Sequence, residues 1–110
     1  MGKFVKGDVV VIPFPFSDLS SSKRRPALVL ASLQGNDIIL CQITSKDVND
    51  NYSIMLLSHE FIEGSLNQDS NIRPNRLFTA DESIIVYKVG TINNIKINNV
   101  IEKTIEILIK

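Results

Sequence analysis

The sequence predicts a small, mainly β domain, an antiparallel barrel of half a dozen short strands followed by one C-terminal helix. Short apolar runs rich in Val and Ile alternate with turn residues over most of the chain. The period of the apolar residues becomes helical only after Asn93. With 110 residues and 44% hydrophobic content, residues 1–110 suffice for one core and one domain.

The expected strands follow one another closely along the chain and occupy residues 9–16, 28–33, 38–43, 52–57, 76–79 and 83–92. Residues 34–37 form a polar turn, which makes strands 28–33 and 38–43 a hairpin. Pro13 and Pro15 restrict the end of the first strand to an edge or bent position. Ser58 is expected to cap a short helical turn that runs through Ile62 and stops at Gly64.

The C-terminal segment carries an apolar stripe at helical spacing, with Asn93 or Asn94 available as the N-cap. The stripe consists of Ile97, Val100, Ile101, Thr104, Ile105 and Leu108. Since β-branched isoleucines lower helix propensity, this helix is expected to need a sheet or a partner to pack on.

Composition excludes several classes of function. Twelve basic and twelve acidic residues balance, so any binding to nucleic acid must depend on a local patch. A single cysteine, Cys41, within an apolar strand predicts a buried core thiol and excludes a disulfide framework. With His59 as the one histidine and no glycine-rich phosphate loop, we expect no metal and no cofactor. Apolar runs of about six residues fall far short of a membrane span of roughly 20, so we expect a cytoplasmic protein without membrane contact.

A candidate site lies at one end of the hairpin. Lys23, Arg24 and Arg25 precede Pro26, which suits the first residue of a strand and holds the cations at the rim of the sheet. The antiparallel return brings Thr44 and Ser45 close to Arg25. Cations held in this way suit a phosphate or a carboxylate. The alternative is an ordinary solvated loop whose charges serve solubility.

Several motifs together resemble the MazF/PemK group of toxin endoribonucleases. They are GDVV at residues 7–10, RPALV at 25–29, ITS at 43–45, GSL at 64–66, SNIR at 70–73, LFTAD at 77–81 and KVGTI at 88–92. Each motif is short, but their order and spacing extend the resemblance from about residue 6 to the C-terminal helix. The resemblance implies an SH3-like barrel that forms a homodimer and binds a cognate antitoxin.

The resemblance also implies an activity, which is metal-independent cleavage of single-stranded mRNA by in-line attack of the ribose 2′-hydroxyl. It assigns the catalytic roles to Arg25, which would stabilise charge in the transition state, and to Thr44, which would bind the scissile phosphate. Bases of single-stranded RNA are accessible to protein groups. The residues expected to contact the substrate are Ser20, Lys23, Arg24, Ser45, Arg73, Asn75 and Arg76.

The chain departs from the family pattern in two places. Residues 17–22 read SDLSSS, where many relatives carry a Glu-Gln or similar acidic loop before the arginine. Asn75 precedes Arg76 where some members have an acidic residue, and an amide cannot act as an acid or a base. A second hypothesis therefore stays open, in which a catalytically degenerate barrel binds RNA or a peptide without cutting.

Overall fold

The computed structural model describes residues 3–14 and 23–110, in which seven strands form one antiparallel sheet and one α-helix follows. The strands are β1 Asp8–Phe14, β2 Lys23–Ser32, β3 Asp37–Thr44, β4 Ile54–Leu56, β5 Phe61–Gly64, β6 Ser70–Asp81 and β7 Tyr87–Ile92. The helix α1 is Asn94–Leu108, and two 3₁₀ turns occupy Ser58–Glu60 and Glu82–Ile84.

The strand order in the sheet is β4-β6-β3-β2-β1-β7-β5, and every neighbouring pair is antiparallel. The sheet curls into a half-barrel, so the predicted small antiparallel β-barrel with a C-terminal helix is confirmed. The β2–β3 hairpin also forms as predicted. Its first strand begins five residues earlier than predicted and ends one residue earlier, and its second strand is one residue longer at each end.

Apolar side chains alternate between the two faces of the curled sheet and form two buried clusters. On one face, Leu28, Cys41 and Ile72 pack with Ile97 and Val100 of α1. Cys41 is fully buried, as predicted, and burial raises the pKa of its thiol to about 12. Of the predicted α1 stripe, Ile97, Val100 and Ile101 contact this cluster, so only part of the stripe packs against it.

The second cluster lies on the opposite face of the sheet. It contains side chains from the first three strands, namely Val10, Ile12, Ala27, Val29, Ile38 and Leu40. Phe4 and the segment at Ile84 and Ile85 pack against it. Both faces of the central strands are thus buried, which fixes their register and gives any site at the strand ends a rigid support.

The N-terminus of α1 is fixed by a polar cap. The Asn93 Oδ1 atom accepts a hydrogen bond from the Lys96 amide at 2.7 Å, which confirms Asn93 as the N-cap. Ile97, Val100 and Thr104 are buried, whereas Ile105 and Leu108 of the same predicted stripe are exposed.

The prediction of a helical turn from Ser58 to Ile62 was wrong in its extent and in its cap. The turn is limited to Ser58–Glu60, Leu57 precedes it, and the following residues form β5. The Glu60 side chain accepts a hydrogen bond from the Leu57 amide, and Phe61 then pairs with Ile92 of β7. Pairing in the sheet satisfies more backbone groups than one further helical turn would.

Gly64 ends β5 rather than a helical turn. Its φ is +68°, and an added Cβ would lie 2.1 Å from the Val89 carbonyl oxygen. Only a glycine allows β5 and β7 to approach so closely at this point.

Two predicted strands are shorter in the structure than expected. The strand predicted at 52–57 shortens to β4 because the Asp50 carboxylate accepts hydrogen bonds from the Tyr52 and Ser53 amides and forms a turn. The strand predicted at 83–92 begins only at Tyr87, after a 3₁₀ turn that the Asp81 side chain caps. The far end of the first predicted strand lies outside the described residues.

The strand predicted at 76–79 is instead the 12-residue β6, which runs through Pro74. A register shift leaves Pro74 outside the hydrogen-bonded ladder, so the strand tolerates it. No helix in the described part of the chain is long and apolar enough to cross a membrane.

Candidate active site

The apolar face of the second cluster continues into a polar surface where β2 and β3 meet. Ala27 lies opposite Gln42 and Val29 opposite Leu40, and continuing this register places Arg25 opposite Thr44. Because side chains alternate, Arg25, Gln42 and Thr44 lie on the same face as the second cluster. Along both strands, the side chains on this face change from buried apolar to polar within two residues.

An open cleft of about 680 Å³ lies over this polar surface, and we call it the arginine cleft. Its walls come from β2, β3, the β3–β4 loop and β6, and its lining residues are Arg25, Gln42, Thr44, Lys46, Asp47, Val48, Arg73, Arg76, Leu77 and Phe78. The volume falls in the range of roughly 300–1,000 Å³ that is usual for ligand sites.

A second open cleft of about 650 Å³, here the serine cleft, lies beside the first. Its lining residues are Val11, Arg24, Arg25, Pro26, Ile43, Thr44, Ser45, Ser65, Leu66, Asn67, Gln68, Ser70, Tyr87, Lys88 and Val89. Arg25 and Thr44 line both clefts. Arg25 and Thr44 therefore form the wall that the clefts share. An extended ligand that lies in both clefts would contact both residues.

Thr44 is buried, with 7% of its surface exposed, and it lines both clefts. The Thr44 Oγ1 atom accepts a hydrogen bond from the Lys46 amide at 3.2 Å. That bond uses a lone pair of the hydroxyl, so its proton is left to be donated. Thr44 is thus held in place as a donor at the wall between the clefts.

Most cations at the clefts have no partner among the described residues. Among the residues that the structure describes, Arg24, Arg25, Lys46 and Arg76 make no side-chain hydrogen bond or ion pair. Asp47 is the single carboxylate that lines either cleft in this part of the chain. The surplus of unpaired positive charge favours an anionic ligand.

Arg73 differs from these cations because it has one acidic partner. Its Nη2 atom lies 3.3 Å from Asp50 Oδ2, while its Nε atom is buried without a hydrogen-bond partner. The Tyr52 and Ser53 amides, and then the Arg73 guanidinium, hold the pKa of the Asp50 carboxyl below its ordinary value despite an opposing desolvation effect.

In the serine cleft, Lys88 is engaged with acidic groups of the strands. Its Nζ atom lies 3.3 Å from Glu63 Oε1 and 3.6 Å from Oδ1 of the buried Asp8. The hydrogen bond to Glu63 and the charge of Asp8 raise the pKa of Lys88. Asp8 also accepts hydrogen bonds from the Thr91 hydroxyl and the Val5 amide, so its carboxylate connects β1 to β7.

The structure brings most of the sequence-predicted site residues to the clefts. Arg24 and Ser45 line the serine cleft, and Arg73 and Arg76 line the arginine cleft. Asn75 is exposed and lines neither cleft, although its neighbour Arg76 in the same bulged segment lines the arginine cleft. Ser20 and the side chain of Lys23 lie outside the described part of the structure.

Sequence reasoning missed several lining residues. Gln42 could have been found, since it alternates in phase with Thr44 on a strand that was correctly predicted. Asn67, Gln68 and Tyr87 reach the serine cleft from distant elements, and no short-range signal places them there. Phe78 lines the arginine cleft and belongs to the LFTAD motif at residues 77–81, but the sequence did not assign it to the site.

The described residues contain no group of three or more His, Cys, Asp or Glu side chains arranged to hold a metal ion. His59 is exposed in the first 3₁₀ turn and lines neither cleft.

The sequence model of one family matches residues 5–108, and that family is described as PemK-like, MazF-like toxin of type II toxin-antitoxin system. A comparison with curated protein sequences gave no match.

Solved structures of the same fold span almost the whole chain. A MazE–MazF complex from Deinococcus radiodurans is 18% identical, with 96% of this chain and 95% of that chain covered and a TM-score of 0.76. MazF from the same organism is 18% identical, covers 97% of both chains and has a TM-score of 0.76. An endoribonuclease in complex with its cognate antitoxin from a mycobacterial species is 9% identical, covers 96% and 94%, and has a TM-score of 0.71. At these identities the likeness concerns the fold.

Proposed function

Because the chain belongs to the PemK-like, MazF-like family of toxins of type II toxin–antitoxin systems, we propose that it is an endoribonuclease that cuts single-stranded mRNA in the cytoplasm. One observation carries the proposal. Arg25 and Thr44 form the wall shared by two adjacent clefts in which cations outnumber carboxylates. A flexible polyanion that lies across both clefts would bring one phosphate to these two residues.

The proposed reaction is an in-line displacement at that phosphate. The ribose 2′-oxygen bonds to phosphorus, the bond from phosphorus to the 5′-oxygen breaks, and the products are a 2′,3′-cyclic phosphate and a 5′-hydroxyl. The proton lost by the 2′-hydroxyl is balanced by the proton that the leaving 5′-oxygen gains. No step requires a metal ion, since the nucleophile is already part of the substrate.

Arg25 and Thr44 would stabilise the pentacoordinate transition state. The Arg25 guanidinium supplies fixed positive charge and a planar set of donors to the non-bridging oxygens, where negative charge builds up. The Thr44 hydroxyl, held by the Lys46 amide, donates to a second oxygen. A guanidinium keeps its protons in proteins, so the role of Arg25 here is electrostatic.

Two protein partners belong to the proposal, a cognate antitoxin and a second copy of the chain. The exposed apolar side chains of Ile105, Leu108 and Ile109 at the end of α1 support pairing with another copy. Light scattering at micromolar concentration tests the homodimer, which has twice the 12.3 kDa mass of one chain. A single monomeric species would contradict it.

The activity is tested by incubating the purified protein with single-stranded RNA in EDTA. Fragments that end in a 2′,3′-cyclic phosphate are expected, and Arg25→Ala serves as the control against a contaminating nuclease. Cleavage that stops in EDTA and returns with Mg²⁺ would overturn the metal-independent mechanism. Equal cleavage by Arg25→Ala would overturn the assignment of the site.

The second hypothesis, binding of RNA without cleavage, is favoured by one observation. Across the two clefts the described residues provide no histidine and only one carboxylate, Asp47, so groups suited to proton transfer are few. Retention of intact RNA by the wild-type protein, with no fragments under any condition, would support this hypothesis against the first.

A further inference from the structure

Arg73 occupies a special position in the wall of the arginine cleft. It pairs with Gln42 across the β3–β6 ladder, and the next paired residue of β6 is Leu77, which faces Cys41. The residues between them bulge out of the ladder, so Arg73 stands at the edge of an interruption in the sheet. Its side chain is largely buried, with 19% of its surface exposed.

Asp50 determines how this guanidinium is oriented. Asp50 Oδ1 accepts hydrogen bonds from the Tyr52 and Ser53 amides, each at 2.9 Å. Asp50 Oδ2 accepts the hydrogen bond from Arg73 Nη2. Because one carboxylate oxygen is fixed by the turn, the other forms a rigid anchor for Arg73.

The Arg73 side chain is not satisfied by this arrangement. The Nε atom is buried and has no hydrogen-bond partner, the one such side-chain atom among the described residues. Nη2 is bound to Asp50, so Nη1 is the terminal nitrogen of this cleft-lining arginine that is left without a partner among the described residues. A conformation that leaves a buried donor unpaired is not the one that best satisfies the arginine itself, and it requires another explanation.

We propose that Asp50 is a positioning residue that holds Arg73 ready to bind an RNA phosphate next to the scissile phosphate. The inference rests on the proposed function and specifies a phosphate group as the ligand of this arginine. Arg25, Lys46 and Arg76 line the same cleft without partners among the described residues, so its charge suits a phosphate. The two N–H groups of a fixed Nη1 donate to phosphate oxygens in a defined direction, which a mobile ammonium does not.

The alternative is that Asp50 only neutralises the largely buried charge of Arg73. The two roles predict opposite changes in RNA affinity when Asp50 is replaced. Asp50→Asn keeps an oxygen that accepts the two turn amides but removes the charge. If Asp50 only neutralises Arg73, its removal leaves more positive charge in the cleft and RNA binds more tightly. If Asp50 positions Arg73, the orientation is lost and RNA binds more weakly.

The experiment measures the affinity for a fluorescein-labelled 2′-O-methyl RNA of mixed sequence, which has no 2′-hydroxyl to attack. Asp50→Asn should weaken binding by about tenfold, the effect of one hydrogen bond to a charged group. Arg73→Lys should weaken binding to a similar extent, and Asp50→Asn should add nothing in the Arg73→Lys background. Arg73→Met should reduce the slope of log affinity against log salt by about 0.7, as for one lost phosphate contact.

Glu60→Gln is the matched control, because Glu60 also accepts a backbone amide and pairs with a lysine but lies outside both clefts. It should leave RNA affinity unchanged, and thermal unfolding verifies that every variant folds. Tighter or unchanged binding by Asp50→Asn would overturn the inference. A changed base preference with an unchanged salt slope in Arg73→Met would also overturn it, since Arg73 would then contact a base.

The assay does not depend on cleavage. A wild-type protein that binds the probe but never cuts RNA would contradict the proposed function and leave the positioning role intact. A protein that cuts RNA while Asp50→Asn binds as tightly as the wild type would contradict the positioning role alone.

Discussion

Two regions of the molecule use half-buried cations in different ways. At the base of α1, Lys96 Nζ lies 2.7 Å from Glu60 Oε2 and donates a hydrogen bond to the Met55 carbonyl at 3.0 Å. Glu60 Oε1 accepts the Leu57 amide at 2.8 Å. The Lys96 and Glu60 charges, the Met55 carbonyl and the Leu57 amide therefore all have partners. Together these bonds join α1 to β4 and to the first 3₁₀ turn.

In the arginine cleft the corresponding pair is incomplete. Arg73 and Asp50 are about as buried as Lys96 and Glu60, but their bond is longer and Arg73 Nε is unpaired. The cations next to it, such as Arg25, have no partner among the described residues. The difference indicates that the satisfied pair stabilises the fold, while the unsatisfied charges are available for a ligand.

The largest expected effect comes from removing the central cation of the clefts. Arg25→Ala should lower the cleavage rate by about 10²–10³-fold, as the loss of a transition-state donor does in other enzymes. Stability should change by less than about 0.5 kcal/mol, because the side chain has no partner to lose among the described residues. Arg25→Lys should restore little activity, since an ammonium does not reproduce the planar donors. Single-turnover cleavage and urea unfolding measure the two effects. A loss of stability without a loss of activity would show that Arg25 stabilises the fold and does not serve a ligand.

A smaller effect is expected at Thr44, which belongs to both kinds of region because it is buried and faces the clefts. Thr44→Val should lower cleavage by roughly tenfold, and losing the acceptor of the Lys46 amide should cost about 1 kcal/mol of folding free energy. Thr44→Ser keeps the hydroxyl and is the control. Loss of stability without loss of cleavage per folded molecule would make Thr44 purely structural.

At the base of α1 the expected effect falls on stability alone. Lys96→Met leaves the Glu60 carboxylate without its charge partner and should lower the free energy of unfolding by about 1–3 kcal/mol, between the values for exposed and buried pairs. Urea unfolding measures this loss. Cleavage by the folded variant should equal that of the wild type, and a selective loss of cleavage would connect this pair to the site.

The smallest effect concerns acid stability. Burial opposes ionisation of Glu60, but the hydrogen bonds from Lys96 and Leu57 outweigh it and hold the pKa of this carboxyl below its ordinary value. Since the folded-state pKa is lowered, the contribution to stability is present above the ordinary glutamate range near pH 4.3 and is lost as pH falls through the lower folded value. The difference in melting temperature between the wild type and Glu60→Gln should therefore be largest at neutral pH and shrink toward pH 3. A constant difference would contradict this linkage.

The sequence was sufficient for the β2–β3 hairpin, for the start of α1 with its N-cap at Asn93 or Asn94, and for the buried Cys41, because each depends on alternation or on a local turn signal. The approach of Arg25 to Thr44 also follows from the hairpin register. The second wall of each cleft could not be predicted in this way. It depends on β6 and on Tyr87 of β7, whose positions are set by pairing with strands far away in the chain.

The errors have a common physical origin. Pro74 and Asn75 lay outside the predicted strand 76–79, but β6 runs through both because the bulge accommodates Pro74. The 3₁₀ turn at Ser58 was extended because local helix signals were considered without β7, which pairs with Phe61. In both places long-range pairing in the sheet prevailed over a local preference.

The strand order of the sheet has a consequence for when the two clefts form during synthesis. β1 is made before the other strands, yet one of its two neighbours is β7, which ends at Ile92. The β2–β3 hairpin can form early, but the half-barrel can close only after β6 and β7 have emerged, because pairings distant in sequence form late. The nascent chain therefore carries Arg25 and Thr44, without the two clefts that they divide, until the residues through Ile92 have left the ribosome.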